Sequence, residues 1–559
     1  MKSLKKILAL VLALVLALSV VACGKPADTP VVDEPSTETE TPSTETEEVK
    51  EEEPFTIIIS VGAGAGAQEG WEAVEKAYEA LHPNADIIVD LKPGDGYAEW
   101  ARTVAADYTA NGAPDILTIN QIPPEYRDEG EVINWEEYMY DVNPYDKEGK
   151  LWKECINYEL QSKSAIDNSF DCLNLCSLQV CWFYNADIFK EVGVEAPENW
   201  DEFVEVCEKI YDAGYQPISI EGDYNSFYAW RMGWLSRMFT DQAYRWIQNV
   251  RRSQPGDYTY DPDKDDKWAF DPTNPFNDYS DYVTTNPVRQ WAALYDGTIS
   301  ADTEGNKAVW ENFKKVFPKY AGGDAFFGCT DAYSAFYQGK AAMMVDISNF
   351  AITYQNNIKK MQAGEEVVVS GEEALEGIQV FELGTFRQPS MTNESGKYGP
   401  DELFQAPART LEGPNGFLGA FNKNAEQTAH VVDFLMFYTS AEGHTIYMNE
   451  YLANGGVPAG PALVYGVEYP EEIAAAFESN EFYGDVKCCL VSRGLADQPE
   501  STRAYYDLAC QVLQDKITVD EYVEKMAAQH LQYFEQALPA DISISDFANP
   551  ANEPTGQDG

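Results

Sequence analysis

FTIIISVGAGAGAQEGWEAVEKAYEALHPNADIIVDL, residues 55–91, is the stretch that decides the fold class. The β-branched and apolar run at 55–61 predicts a buried strand, and the glycine-rich run at 62–66 predicts the loop in which it ends. Apolar residues then recur at three- and four-residue spacing from Trp71 to Leu81, which predicts a helix. A second strand is predicted at 87–91.

The next residues repeat the same alternation. A further helix is predicted over 97–108, followed by an apolar strand at 116–119. Strand, helix, strand, helix, strand is the pattern of a doubly wound α/β sheet, in which ligands bind beyond the carboxyl ends of the strands. The glycines at 62–66 do not form a nucleotide loop, since no Gly-Lys-Ser/Thr follows them.

Composition narrows the function. The 559 residues carry 39 Lys and Arg against 93 Asp and Glu, a formal net charge of −54, which argues against nucleic acid as a partner. Aromatic residues make up 13% of the chain, enough for large apolar cores. The four histidines share no short spacing, so neither a zinc-protease helix nor a zinc finger is predicted. No metal site and no cofactor are expected.

The amino terminus predicts export and a lipid anchor. Three lysines precede a short apolar run that ends in Val20-Val21-Ala22-Cys23, so residues 1–22 are interpreted as a signal peptide. The last four residues resemble a bacterial lipobox, which implies acylation of Cys23. Residues 23–54 are rich in Thr, Glu, Ser and Pro and predict an acidic disordered linker. We therefore expect a lipid-anchored protein on the extracellular face of the cell membrane.

Six blocks, in order along the chain, resemble the family 1 extracellular solute-binding proteins, the receptors of ABC importers. No single block is specific for this family, but the ordered combination of all six is. The blocks are VCWFYNADIFKEV at 180–192 with GVEAPENWDEF at 193–203, AGYQPI at 213–218, FYQGKAAMMV at 336–345, DFLMFYTS at 433–440, GGVPA at 455–459 and VLQDKITVDE at 512–521.

The resemblance implies a type II periplasmic-binding-protein-like fold: two doubly wound lobes, a hinge and a central ligand cleft. We expect an N-lobe of residues 55–178 plus 420–470. The C-lobe is then 183–415 plus 471–545, with an insertion at about 241–330 whose role stays open, and 546–559 is expected to be a flexible tail. Within these blocks, Trp182 and Trp200 are expected to pack in the core, and Asn185 to cap a helix.

Sugar sites combine aromatic faces with planar polar groups that bond two neighbouring hydroxyls. We looked for that mixture after the predicted strands and at the positions the resemblance implies. The candidate ligand-binding residues are Gln68, Trp71, Asn120, Gln121, Asn225, Phe227, Trp230, Asn349, Phe350 and Arg503.

The resulting hypothesis is a monomeric receptor, not an enzyme, that captures a carbohydrate, expected to be a neutral oligosaccharide, and delivers it to ABC permease subunits. A receptor for another polar solute and a secreted glycoside hydrolase remain alternatives. The sequence leaves open which sugar is bound. It also leaves open whether calcium binds at the acidic run 261–266 and whether the nine cysteines other than Cys23 form disulfides.

Overall fold

The computed structural model describes residues 53–92, 112–117, 130–164, 168–369, 373–392, 404, 406–478, 483–495 and 499–556. Several predictions fall outside these residues. They are the signal peptide, almost all of the linker, Cys23, the helix at 97–108, Asn120 and Gln121.

The strands of the described residues form one continuous path. They are β1 (Phe55–Gly62), β2 (Ala85–Lys92), β3 (Ile116–Leu117), β4 (Leu173–Asn185), β5 (Gln216–Ser219), β6 (Ala341–Ile347), β7 (Leu383–Phe386) and β8 (Leu411–Ala420). Their order is β2-β1-β3-β8-β4-β6-β5, with β7 also paired to β4.

The α-helices flank this sheet. They are α1 (Ala67–Leu81), α2 (Trp152–Cys155), α3 (Ala186–Val192), α4 (Trp200–Asp212), α5 (Tyr224–Tyr228), α6 (Arg231–Ala243), α7 (Gln248–Arg251), α8 (Pro262–Asp265), α9 (Pro287–Tyr295), α10 (Glu304–Val316), α11 (Ser334–Tyr337), α12 (Phe350–Ala363), α13 (Ala425–Tyr438), α14 (Ala441–Ala453), α15 (Glu471–Glu478), α16 (Pro499–Leu513), α17 (Val519–Gln532) and α18 (Phe534–Ala537). Short 3-10 helices are Trp135–Glu137, Tyr158–Leu160, Arg245–Ile247, Lys319–Ala321, Gly323–Phe326 and Ile544–Ala548.

The stretch 55–91 folds as its pattern predicts. Strand β1 pairs in parallel with β2 and with β3, and Ile57 and Ile59 are fully buried. Helix α1 covers the sheet through Trp71 and Val74, its residues at three-residue spacing. The predicted α/β class is confirmed, because parallel strands joined by a helix can bury both sheet faces.

Strand β4 links two parts of the sheet. Its first half, Leu173–Gln179, pairs antiparallel with β8, and its second half, Val180–Asn185, pairs with β6 and β7. The two halves of this strand contribute apolar residues to separate clusters. One contains Leu173 and Leu418, and the other contains Val180 and Trp182. A strand that serves two cores is the connection that a two-lobed protein needs, and the lobe boundaries given above remain our proposal.

The expected scaffold roles are confirmed. Trp182 and Trp200 are fully buried in one apolar cluster. Asn185 ends β4 and caps α3, since its side-chain oxygen accepts from the amides of Asp187 and Ile188.

Residues 546–556, the described part of the segment expected to form a flexible tail, lie on the body of the protein. The amide of Tyr258 donates to the Ala551 carbonyl, and Asn286 Nδ2 donates to the Pro550 carbonyl at 2.7 Å. Phe547 packs against Tyr295. Partly buried hydrogen bonds and an aromatic contact outweigh the polar composition from which a flexible tail was predicted.

Candidate functional site

A cavity of about 430 Å³ opens at the carboxyl ends of β5 and β6. These strands are parallel, so the residues that follow them meet at one edge of the sheet. The residues that line it are Glu221, Asp223, Asn225, Ser226, Trp230, Arg231, Trp234, Thr330, Tyr333, Asp346, Ile347, Asn349, Phe350 and Thr353.

The floor of this cavity is a cluster of three charged side chains, Glu221, Arg231 and Asp346, which we call the floor triad. Arg231 donates through Nη1 to Glu221 Oε1, through Nη2 to Asp346 Oδ2 at 2.6 Å, and through Nε to the Val345 carbonyl at 2.7 Å. The exposed fractions of the three side chains are 13%, 5% and 8%. One guanidinium therefore orients two carboxylates at once.

Burial and charge act against each other in the triad. Burial disfavours the charged guanidinium, but Asp346, Tyr333 and Glu221 together raise the pKa of Arg231. Burial raises the pKa of Glu221 despite the neighbouring guanidinium, and Asp346 adds to that rise. The floor thus holds a fixed cation and a carboxyl group that gains a proton more readily than a free glutamate.

Aromatic side chains form the walls. The Tyr333 ring lies 4.7 Å from the Arg231 guanidinium carbon and stacks on Phe350 with centroids 6.0 Å apart, while its hydroxyl donates to Asp346 Oδ2 at 3.0 Å. Trp230 packs edge-on against the buried Trp234, at 5.7 Å between ring centroids, yet remains 55% exposed. An indole held in place but open to the cavity is a platform for the apolar face of a ligand.

Local backbone geometry sets these positions. At Gly222 a Cβ atom would lie 2.1 Å from the Phe326 carbonyl oxygen, so only glycine allows the chain to leave β5 this close to its neighbour. Asp223 then caps α5 by accepting from the Ser226 amide at 3.0 Å. Helix α6 starts at Arg231 directly after Trp230, which places both residues on the cavity.

Four of the predicted site residues line the cavity: Asn225, Trp230, Asn349 and Phe350. Phe227 does not line it. Its ring is 1% exposed and packs against Phe326 in the core.

Three further predicted site residues lie elsewhere. The Arg503 guanidinium lies 4.0 Å from the Tyr224 ring centroid on the protein surface. Trp71 is buried against Tyr438, and Gln68 is exposed and donates to Glu72 Oε1 at 2.6 Å.

Sequence reasoning did not select the floor triad or Tyr333. Glu221 follows β5 and Asp346 lies near the carboxyl end of β6, the positions where ligand-binding residues are expected. Arg231 is the residue that could have revealed the triad. A buried arginine needs carboxylate partners, and the two acids at the strand ends supply them.

A second cavity, of about 740 Å³, shares Thr353 with the first. It lies between α12 and the turn at Gly455–Val457, and Ala65 of the predicted glycine-rich loop lines it. Only glycine fits at position 66, because a Cβ atom added there would lie 2.1 Å from the Tyr451 carbonyl oxygen. The loop after β1 thus faces the same region as the first cavity, as the strand-end rule predicts.

The acidic run 261–266 makes hydrogen bonds within the protein. Asp261 caps α8, and Asp265 accepts from the amide and hydroxyl of Thr284 at 2.9 and 2.7 Å. Asp266 accepts from the Tyr260 hydroxyl. Across the described part of the chain, no group of three or more His, Cys, Asp or Glu side chains is arranged to hold a metal ion.

Two other features bear on the open questions. Cys155 and Cys176 are buried thiols, and burial raises their pKa values to about 11 and about 12, respectively. Of the helices in the described residues, none combines the length and apolar character that a membrane span requires.

Fold and site together define a ligand-binding protein with a mixed α/β sheet and a polar, aromatic-walled cavity at the strand ends. Residues 64–328 match the family model described as bacterial extracellular solute-binding protein. Over these residues the chain is similar to the bacterial extracellular solute-binding proteins.

One curated relative is similar over part of its length. The "Multiple sugar-binding protein" of Streptococcus mutans serotype c is 23% identical over 147 residues, which cover 26% of this chain and 32% of that protein. The match thus spans about a third of the length of this curated relative.

Two solved structures share the fold. The apo form of RafE from Streptococcus pneumoniae is 17% identical with a TM-score of 0.50, covering 85% of this chain and 98% of that one. The cyclic alpha-maltosyl-1,6-maltose binding protein from Arthrobacter globiformis is 12% identical with a TM-score of 0.51, covering 86% and 100%.

Proposed function

We propose that this protein is the substrate-binding lipoprotein of an ABC importer and captures a carbohydrate in the cavity at the ends of β5 and β6. The observation that carries the proposal is the pairing of the open Trp230 indole with the planar groups of the floor triad. Pyranose rings present an apolar face to an indole and hydroxyls to carboxylates and guanidinium groups. The name of the S. mutans relative supports the same ligand class.

A lipid anchor would keep the protein near the permease that it supplies. Acylation of Cys23, followed by the acidic linker, would hold the body close to the membrane surface while leaving its cavity free. Mass spectrometry of the membrane fraction tests this proposal. It should find a lipid-modified amino-terminal Cys23, and Cys23→Ala should release the protein into the medium; an unmodified Cys23 in membrane-bound protein would contradict it.

The competing functions predict different results at the same cavity. A hydrolase needs a carboxylic acid and a carboxylate that act on opposite sides of the scissile bond. Glu221 and Asp346 are instead bonded to one guanidinium, an arrangement that fixes both in the floor. A receptor for a peptide or other polar solute would use the same groups without the need for an open indole.

Titration calorimetry with a panel of oligosaccharides, combined with product analysis, separates these functions. We expect binding without cleavage, and we expect Trp230→Ala to weaken binding at least about fivefold, since a stacked aromatic contributes about 1 kcal/mol or more. Tyr211→Ala is the matched control, because this exposed aromatic lies outside every cavity described above. Released reducing ends would establish a hydrolase, and binding of peptides alone would exclude a sugar receptor.

A further inference from the structure

The floor triad carries an uncompensated negative charge. Glu221 and Asp346 supply two carboxylates and Arg231 one guanidinium, all largely buried. Among the described residues that line the cavity, no second Arg or Lys is present, and Asp223 adds a further carboxylate nearby. Since an unbalanced charge away from water is costly, the floor favours a species that brings a positive charge.

One atom marks where that species would bind. Glu221 Oε2 is buried and accepts no hydrogen bond from the described residues, whereas Oε1 is bonded to Arg231. The guanidinium cannot serve both oxygens, because its other donors are directed to Asp346 and to the Val345 carbonyl. A buried acceptor that lacks a donor requires one from the ligand or from a water molecule.

Three kinds of donor could satisfy Glu221 Oε2. A sugar hydroxyl or a water molecule gives a hydrogen bond but leaves the net charge in place. A proton on Glu221, which burial favours, removes the charge and turns the carboxyl group into a donor, but it weakens the ion pair with Arg231. A ligand ammonium supplies the hydrogen bond and the charge and also keeps that ion pair, so of the three donors it alone does all of this.

The walls suit a cation as well. Trp230 and Tyr333 both line the cavity, and aromatic faces such as that of the exposed Trp230 indole attract ammonium groups. Tyr333 already lies 4.7 Å from the Arg231 guanidinium carbon, so this ring takes part in cation contacts in the structure. The body outside the signal and linker carries a formal charge of −48, which concentrates cationic ligands near the protein.

We propose that the carbohydrate bound here is an amino sugar with a free, protonated amine, whose ammonium donates to Glu221 Oε2. The inference rests on the proposed function and replaces a neutral oligosaccharide by a cationic one. It makes Glu221 the specificity-determining residue, while Trp230 provides stacking for neutral and charged sugars alike.

Calorimetry with three disaccharides of the same linkage tests the proposal: a glucosamine disaccharide, its N-acetylated form and the corresponding glucose disaccharide. We expect the amine to bind at least tenfold more tightly than the other two at low salt, with the difference shrinking as salt is raised. Glu221→Gln should abolish most of the difference between the amine and the two neutral sugars. Glu524→Gln, an exposed glutamate on α17, is the matched control and should change nothing.

A pH series adds a second readout. The charged groups that act on Glu221 are Arg231 and Asp346, the latter bonded in turn to the Tyr333 hydroxyl, and burial raises the pKa of Glu221 among them. As the pH falls through that raised pKa, the carboxyl gains a proton and the amine should bind more weakly, whereas the N-acetylated sugar should not respond. If Glu221→Gln fails to fold, the comparison of the three disaccharides on the wild-type protein still decides whether the site prefers the amine. The same comparison on Asp346→Asn serves as the second variant.

The outcomes separate the two proposals. Equal affinity for the amine and its N-acetylated form would overturn the amino-sugar inference and leave the proposed function intact. Binding of no sugar of any kind would overturn the proposed function itself.

Discussion

Two tryptophans show how the same side chain serves packing or binding according to its neighbours. Trp200 is fully buried against Phe203, Phe239 and Phe313, and its Nε1 donates to the Asn312 carbonyl. Trp230 leaves more than half of its surface open. Substitution of Trp200 should therefore change the free energy of unfolding, and substitution of Trp230 should change ligand affinity.

Trp200→Ala is predicted to lower the free energy of unfolding by about 3–5 kcal/mol, because it leaves a cavity among the three phenylalanines and removes a hydrogen bond. Urea denaturation measures the change. Tyr211→Ala, an exposed aromatic on the same helix, should change it by less than about 0.5 kcal/mol. Similar values for the two variants would contradict the packing described for Trp200.

The buried His444 should make the free energy of unfolding depend on pH. Its ring is buried against Tyr438 and Tyr447, and burial lowers its pKa to about 4 from an ordinary value near 6.5. Between those two values the unfolded chain binds the proton and the folded protein does not. The free energy of unfolding should therefore fall as the pH drops from about 6.5 to about 4, by at most ~3 kcal/mol from this residue.

Urea denaturation of wild type and His444→Gln across that pH range measures the effect. The substitution should flatten the pH dependence. His530 keeps part of the slope, since burial also lowers its pKa to about 4. An identical slope in both proteins would show that His444 is not the group responsible.

The sequence predicts a site residue only where its position after a strand is enough to place it at the cavity. Asn225, Trp230, Asn349 and Phe350 follow strands and lie at the cavity. Phe227 follows β5, as Asn225 and Trp230 do, but the turn of α5 directs its ring into the core. No single-residue signal distinguishes it from its neighbours.

At the scale of elements, β-branched and apolar runs located β1 and β2 to within a few residues, since a buried parallel strand has a continuous apolar sequence. The short strand β7 was not predicted. Its residues are only partly buried except for Phe386, and it exists because β4 offers an edge for pairing. Pairing between distant segments leaves little trace in local sequence.

The turn after α14 depends on a close approach to β4. A Cβ atom at Gly460 would lie 1.9 Å from the Ser177 carbonyl oxygen, which is backbone and cannot move aside alone. Gly460→Ala should therefore push the turn away from β4 and lower the melting temperature by several degrees. Gly256→Ala is the comparison: no atom lies near its Cβ, and its positive φ adds only backbone strain. Equal effects of both substitutions would mean that the Ser177 contact is unimportant.

At the scale of the whole molecule, the segment from 276 to 282 reaches from the predicted C-lobe insertion to the predicted N-lobe. Lys163 Nζ, fully buried, lies 2.7 and 2.6 Å from the two carboxylate oxygens of Asp281. Tyr282 donates to Glu159 Oε1 at 2.8 Å. These contacts, which we call the lobe bridge, connect the two cores away from the candidate cavity.

The lobe bridge gives a way to test whether the lobes close around the ligand. If it forms only in the closed arrangement, Asp281→Asn should weaken carbohydrate binding several-fold without touching the cavity, because closure contributes to affinity. Small-angle scattering should show a larger radius of gyration for the variant, and calorimetry should show the lower affinity. Tyr282→Phe removes one exposed hydrogen bond and should have a smaller effect. Loss of thermal stability at unchanged affinity would mean instead that the bridge persists in every arrangement of the lobes and plays no part in closure.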